Sequence, residues 1–220
     1  MALLKLEKVW YRYPGSQDYA LRNIDLEFNG SRVYVVTGPN GAGKSTLLLV
    51  AAGLLRPCKG HVYYMGRPLH ELVPGIRREF GLLFQNPETM LFNPIVYDEI
   101  AYALRQIYSD HEIVDRFVRE SLDKVGLDPS ILERPTHMLS YGEKKLVALA
   151  SIIAYRPRIL LLDEPYTNLS IDYIHRINEL IRGFRDNGCL VIIVSHDIGY
   201  VEELYDHIIY MEKGSIKEFE

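Results

Sequence analysis

Nine consecutive residues, Gly38-Pro-Asn-Gly-Ala-Gly-Lys-Ser-Thr46, fit the pattern G-x4-G-K-[S/T] in full. Glycines at 38, 41 and 43 let backbone N–H groups turn inward around phosphate oxygens, a concavity that side chains would obstruct. Asn40 and Thr46 lie within the same loop. Lys44 can neutralise charge between β- and γ-phosphates, Ser45 can ligate Mg²⁺, and a helix N-terminus behind them adds its dipole. The glycine spacing is GxxGxG and not GxGxxG, so a phosphate cradle is the better reading than a dinucleotide site. A second constellation, Arg158-Ile-Leu-Leu-Leu-Asp163-Glu164-Pro165, places two carboxylates at the end of an apolar strand. Such a pair alone often makes a helix-capping turn. Beside a phosphate loop, Asp163 suits the Mg²⁺ shell and Glu164 suits a general base acting on water. Together the motifs imply hydrolysis of ATP or GTP.

These groups need strands that deliver them and helices that follow. Residues 2–9 and 24–28 alternate apolar and polar, the period of half-buried strands, and Asn29-Gly30 signals a turn before the run 32–36. That run leads into the glycine loop and then the helix-forming LLLVAAGLL. Strand, loop and helix in succession predict an α/β unit. Residues 61–65 and 80–84 read as further strands. Residues 97–108 and 112–125 place Ile100, Leu104 and Ile107, then Ile113, Phe117, Leu122 and Val125, at helical spacing, and Gly126 and Pro129 end the region. The expected organisation is one domain over 1–220. Residues 1–85 and 141–220 form its α/β core and a β subdomain, and residues 86–140 form an inserted helical subdomain. Helices at 142–155 and 173–185, strands at 159–163 and 190–195, and a strand pair around Gly214 complete it.

Composition narrows the classes. The chain has 220 residues, 48% of them hydrophobic and 25% charged, which is ordinary for a globular protein. A net charge of -4 makes the whole chain a poor electrostatic partner for nucleic acid. The two cysteines, Cys58 and Cys189, lie far apart without a CxxC, which argues against a zinc site or a disulfide framework. No stretch reaches the length of about 18 apolar residues that spans a bilayer. Lys5, Glu7 and Lys8 stand where a signal peptide needs its apolar core. A cytoplasmic protein is expected, with any membrane role exercised through a partner.

Three further segments fall in a telling order. Gln85 ends an apolar strand, Leu139-Ser-Tyr-Gly-Glu-Lys-Lys145 precedes the acidic strand, and Ser195-His196-Asp197 follows another. With the first two motifs this order resembles the nucleotide-binding subunits of ATP-binding cassette (ABC) transporters, over essentially the whole chain. The resemblance implies a P-loop ATPase fold with an N-terminal antiparallel β subdomain and an inserted helical subdomain. It also implies two cassettes facing head to tail around two Mg-ATP, each held by one subunit's phosphate loop and the other's signature segment. By resemblance Tyr13 stacks on adenine (with Tyr11 as its rival), Gln85 senses Mg²⁺ and water while contacting a membrane partner, and His196 contacts the γ-phosphate. Ser140 and Gly142 would complete the partner's site.

The tract Phe84-Gln-Asn-Pro-Glu-Thr-Met-Leu-Phe92, running on to Val96-Tyr-Asp-Glu-Ile100, and the opening Tyr11-Arg-Tyr-Pro-Gly15 are similar to the ATPases of energy-coupling-factor (ECF) importers. Those import vitamins or transition-metal ions such as cobalt and nickel. They are often longer, and an extra C-terminal dimerisation element is not expected here. The expected location is the cytoplasmic face of the cell membrane, with residues 86–108 against an integral membrane subunit. Departures fall on surfaces serving the opposite subunit: LSYGE stands where the family has LSGGQ, Leu146 where an Arg is common, and Leu169-Ser170 where Leu-Asp is usual. A heterodimer with unequal sites is therefore favoured over a homodimer. The competing readings are a soluble ABC ATPase of DNA repair or translation, and a regulatory module without turnover.

Overall fold

In the computed structural model, which describes residues 2–220, the strands in chain order are β1 (Leu4–Tyr11), β2 (Leu21–Phe28), β3 (Arg32–Thr37), β4 (Lys59–Tyr64), β5 (Arg67–Pro68), β6 (Phe80–Leu83), β7 (Ile159–Asp163), β8 (Leu190–Val194), β9 (His207–Glu212) and β10 (Ser215–Phe219). The helices are α1 (Lys44–Ala51), α2 (Leu69–Leu72), α3 (Val96–Arg105), α4 (His111–Val125), α5 (Tyr141–Ile153) and α6 (Ile171–Asp186).

Two sheets divide the strands. An antiparallel sheet has the order β2-β1-β4-β5. The larger sheet has the order β10-β9-β3-β8-β7-β6, parallel throughout except for β10, which closes its edge antiparallel to β9. Asn29-Gly30 joins no hairpin, because β2 and β3 belong to different sheets and the turn carries the chain from one to the other.

The parallel strands read as unbroken apolar runs because both of their faces are covered. Val33 and Val35, Leu160 and Leu162, Val191 and Ile193 face α3 to α6. Their alternates Tyr34 and Val36, Ile159 and Leu161, Ile192 and Val194 face α1 and the antiparallel sheet. The outcome is three layers with the parallel sheet in the middle. The helices at 96–125 enter between β6 and β7, and α5 packs on α3 and α4 as well as on β6.

Two local features differ from the periodicity. The buried face of α4 is Val114, Val118, Leu122 and Val125. Ile113 and Phe117 sit at its margin, where Arg116 and Arg156 cover the Phe117 ring. Helix α1 starts at Lys44, because Gly43 caps it in the left-handed conformation, and Gly53, also left-handed, follows its end.

Candidate active site

Four neighbouring parallel strands, β3, β8, β7 and β6, end on the same side of the sheet, where ligands of open α/β sheets bind. The phosphate loop leaves β3, His196 follows β8, Asp163 and Glu164 end β7, and Gln85 follows β6. Register enforces this: Val36 and Asp163 both pair with Val194.

The loop is pressed against backbone from behind. A Cβ on Gly38 (φ 136°) would overlap the Met211 carbonyl, and one on Gly43 (φ 99°) would overlap that of Ala20. The Gly214 N–H donates to the Ala42 carbonyl at 3.0 Å, fixing the loop to the turn between β9 and β10. The first turn of α1 carries no acidic residue, so the positive helix end is left for an anion. Lys44 curls over the loop, its Nζ donating to the carbonyls of Gly38 (2.7 Å) and Pro39 (3.0 Å).

An open cavity of about 540 Å³ collects Tyr13, Asn40, Gly41, Gly43, Lys44, Ser45, Thr46, Gln85, Asp163 and Glu164. Gly38 lies behind it beneath Lys44. Of the two candidate tyrosines, Tyr13 stands at this cavity, 42% exposed, with its hydroxyl 3.1 Å from Thr46 Oγ1. Tyr11 is buried in the core and meets the Tyr13 ring edge-on at 5.0 Å. A cavity of about 640 Å³ at the opposite end of the strands, lined by Arg176, Leu180 and Cys189, holds none of these groups.

Asp163 is buried and its Oδ1 has no hydrogen-bond partner. Burial pushes its carboxyl above the usual carboxylate range, while Ser45 and the charges of Lys44 and Lys145 pull the other way. Glu164 takes φ 49°, a left-handed conformation uncommon outside glycine. Its carboxylate accepts from the His196 backbone N–H (Oε1, 3.2 Å) and lies 2.9 Å from His196 Nδ1 (Oε2). His196 is otherwise largely exposed at the rim.

Ser140 and Gly142 lie outside the cavity, at the head of α5. The Glu143 that replaces Gln completes a capping box: Ser140 Oγ accepts from the Glu143 N–H, and Glu143 Oε2 accepts from the Ser140 N–H at 2.8 Å. Burial acts to raise the Glu143 carboxyl, but Ser140 and the Arg134 guanidinium at 2.9 Å outweigh it and hold the group below its usual range. The Ser140 hydroxyl keeps its own proton for a further acceptor. Tyr141 has no positive φ, and its hydroxyl donates to the Gln85 carbonyl at 3.1 Å. Sequence reasoning missed Lys145, which is wholly buried, its Nζ donating to the carbonyls of Glu164 (2.8 Å) and Thr167 (3.0 Å). The available signal was a lysine on the doorstep of the apolar run LVALA.

Residues 21–167 match the family model described as ABC transporter. The chain is 37% identical to the energy-coupling factor transporter ATP-binding protein EcfA2 of Thermotoga maritima, covering 96% of this chain and 79% of that one. It is 38% identical to the nickel import ATP-binding protein NikO of Rhodobacter capsulatus, covering 96% and 86%. Among solved structures it resembles cbiO1 of Clostridium perfringens, part of the ABC transporter complex cbiONQ (TM-score 0.86, 28% identity, 99% and 88% covered). It also resembles a dimeric ATP-binding cassette in a post-hydrolysis state bound to ADP and Pi (TM-score 0.91, 27% identity, 99% and 97% covered).

Proposed function

The chain belongs to the ABC transporter family, as an ATP-binding and ATP-hydrolysing subunit, and from that premise we propose that it powers an ECF-type importer of a vitamin or a transition-metal ion. One observation carries the catalytic assignment: Glu164, held by His196, shares a cavity with Lys44, Ser45 and the unpartnered Asp163 oxygen.

In this reading the loop amides and Lys44 bind the β- and γ-phosphates, and Tyr13 stacks on adenine. Glu164 accepts a proton from the attacking water, and His196 orients Glu164 and meets the γ-phosphate. Positioning and electrostatics supply most of the acceleration of phosphoryl transfer. The residues present suit Mg²⁺: Ser45, Asp163 and Gln85 would hold it, and the orphaned, buried Asp163 oxygen calls for a cation. Mg²⁺ usually keeps several waters, so waters and phosphate oxygens would complete its shell beside these side chains. When bound, the ion neutralises phosphate charge as the bridge to the leaving group breaks.

Ser140 and Gly142 complete the partner cassette's site. Their segment is altered while the groups acting on this chain's own ATP are intact, which supports a heterodimer with unequal sites. Replacing Ser140 then slows hydrolysis at the partner's site more than at this one, and equal loss at both in site-resolved nucleotide trapping would contradict the asymmetry. No helix among the described residues is long and apolar enough to cross a membrane. In this reading a membrane subunit meeting Gln85 and residues 86–108 holds the chain at the cytoplasmic face. An exposed aromatic pair supports that face: Phe92 (66% exposed) meets Tyr102 edge-on at 4.8 Å. Glu99 Oε2 beneath them accepts from the Phe92 and Asn93 amides at 3.0 and 2.7 Å.

Affinity capture from mildly solubilised native membranes tests the assignment. A polytopic membrane protein and a second cassette are expected. Ribosomes, DNA-processing proteins or soluble partners alone would contradict it.

A further inference from the structure

We propose that Tyr141 and Lys145 are positioning residues that tie the signature helix α5 to both catalytic segments of the same chain. Residues four apart share a helix face. From that face Tyr141 holds the Gln85 carbonyl at 3.1 Å and Lys145 holds the Glu164 carbonyl at 2.8 Å. The two side chains also meet each other, with the Lys145 ammonium 5.6 Å from the centre of the Tyr141 ring. A strut beside them, Lys144 Nζ to Glu88 Oε1 at 2.6 Å, fastens the segment after Gln85 to the same turn.

Both tethers end on backbone carbonyls, so they fix where Gln85 and Glu164 stand and leave their side chains free to react. The Lys145 contact also braces Glu164 in its left-handed conformation. A glycine at 141 has no side chain with which to reach Gln85. The departure from LSGGQ is thus the residue that makes the first tether. On the two-cassette reading above, on which this inference rests, the turn bearing Ser140 and Gly142 faces the opposite subunit's nucleotide. A displacement of that turn is carried through Tyr141 to Gln85 and through Lys145 to Glu164. Occupancy of one site is thereby reported to the other within a single chain.

The test is single-turnover hydrolysis of Mg-ATP by the complex isolated from membranes, in a double-mutant cycle of Tyr141→Phe and Gln85→Ala. Tyr141→Phe removes one hydroxyl and should lower the rate about three- to tenfold with ATP affinity unchanged, while the thermal midpoint falls by no more than about 2–4 °C, the worth of one neutral hydrogen bond. In the Gln85→Ala background it should cost nothing further, because the group it positions is gone. An unchanged rate for Tyr141→Phe, or the same fold-loss in both backgrounds, would overturn the tether and leave the ATPase reading standing. A wild-type complex that does not hydrolyse ATP would overturn both.

Discussion

Glu164 and His196 are joined twice: the Glu164 carboxylate accepts from the His196 backbone N–H at 3.2 Å and stands 2.9 Å from its Nδ1. The pairing spans two adjacent parallel strands, since Glu164 follows β7 and His196 follows β8. A carboxylate acceptor at Nδ1 calls for the proton there, and on the proposed reading Nε2 is then the ring atom left for a phosphate.

Replacing His196 by Ala therefore removes the side-chain restraint on Glu164 and a phosphate contact, while the backbone contact survives. A fall in kcat of about 10²-fold, as for loss of one positioned acid–base partner, is expected to exceed the loss in ATP affinity from the missing phosphate contact. Steady-state phosphate release beside equilibrium nucleotide binding checks this. A loss in affinity alone would contradict it.

Lys44 donates two of its three ammonium protons to the Gly38 and Pro39 carbonyls, and on the proposed reading it turns toward phosphate when ATP binds. Lys44→Ala is expected to weaken ATP binding by about 1.5–3 kcal/mol, the range for hydrogen bonds to charged groups. Adenosine affinity should be untouched. Titration with a fluorescent ATP analogue and with adenosine separates the two.

Tyr13 and Tyr11 lie two residues apart, and only Tyr13 faces the cavity. Tyr13→Ala should cost about 1–3 kcal/mol of nucleotide affinity, as for one lost base stack, and should do so for ATP and GTP alike. Tyr11→Phe should leave affinity unchanged. Loss of affinity on Tyr11→Phe with none on Tyr13→Ala would reverse the assignment.

Burial pushes the Lys145 ammonium from 10.5 down to about 8, against the attraction of Glu164 and Asp163. Between those two values the unfolded chain binds a proton that the folded chain does not, so folded stability rises with pH across that window. The penalty for the buried charge is present in full below the lower value. Thermal midpoints of the nucleotide-free chain from pH 8 to 10 should rise more steeply for wild type than for Lys145→Met. Equal slopes would contradict the burial of a charged lysine.

Much of this was legible in the residues. The runs 159–163 and 190–194 read as strands because both faces of the middle sheet are covered, and the four strand-end motifs needed only their parallel order to meet. The strand pair around Gly214 was equally plain. What periodicity could not show was contact across the chain. Nothing local announces that Tyr141 reaches Gln85, 56 residues earlier, or that Lys145 crosses to Glu164. The short β5 and α2 escaped because two and four residues carry no period. The offset of the α4 face arose because Ile113 and Phe117 share the helical spacing of the true core residues one position on.

The most direct measurement of the central claim uses Glu164→Gln in the isolated complex, with a radiolabelled, photo-crosslinkable ATP analogue bound in the presence of Mg²⁺. Nucleotide attached to this chain is then recovered and identified. Wild type should yield mainly the diphosphate, and Glu164→Gln should bind as much nucleotide but yield the intact triphosphate, with hydrolysis slowed by about 10²-fold or more. Diphosphate recovered from the variant at the wild-type rate would contradict the role of Glu164 and with it the proposed site.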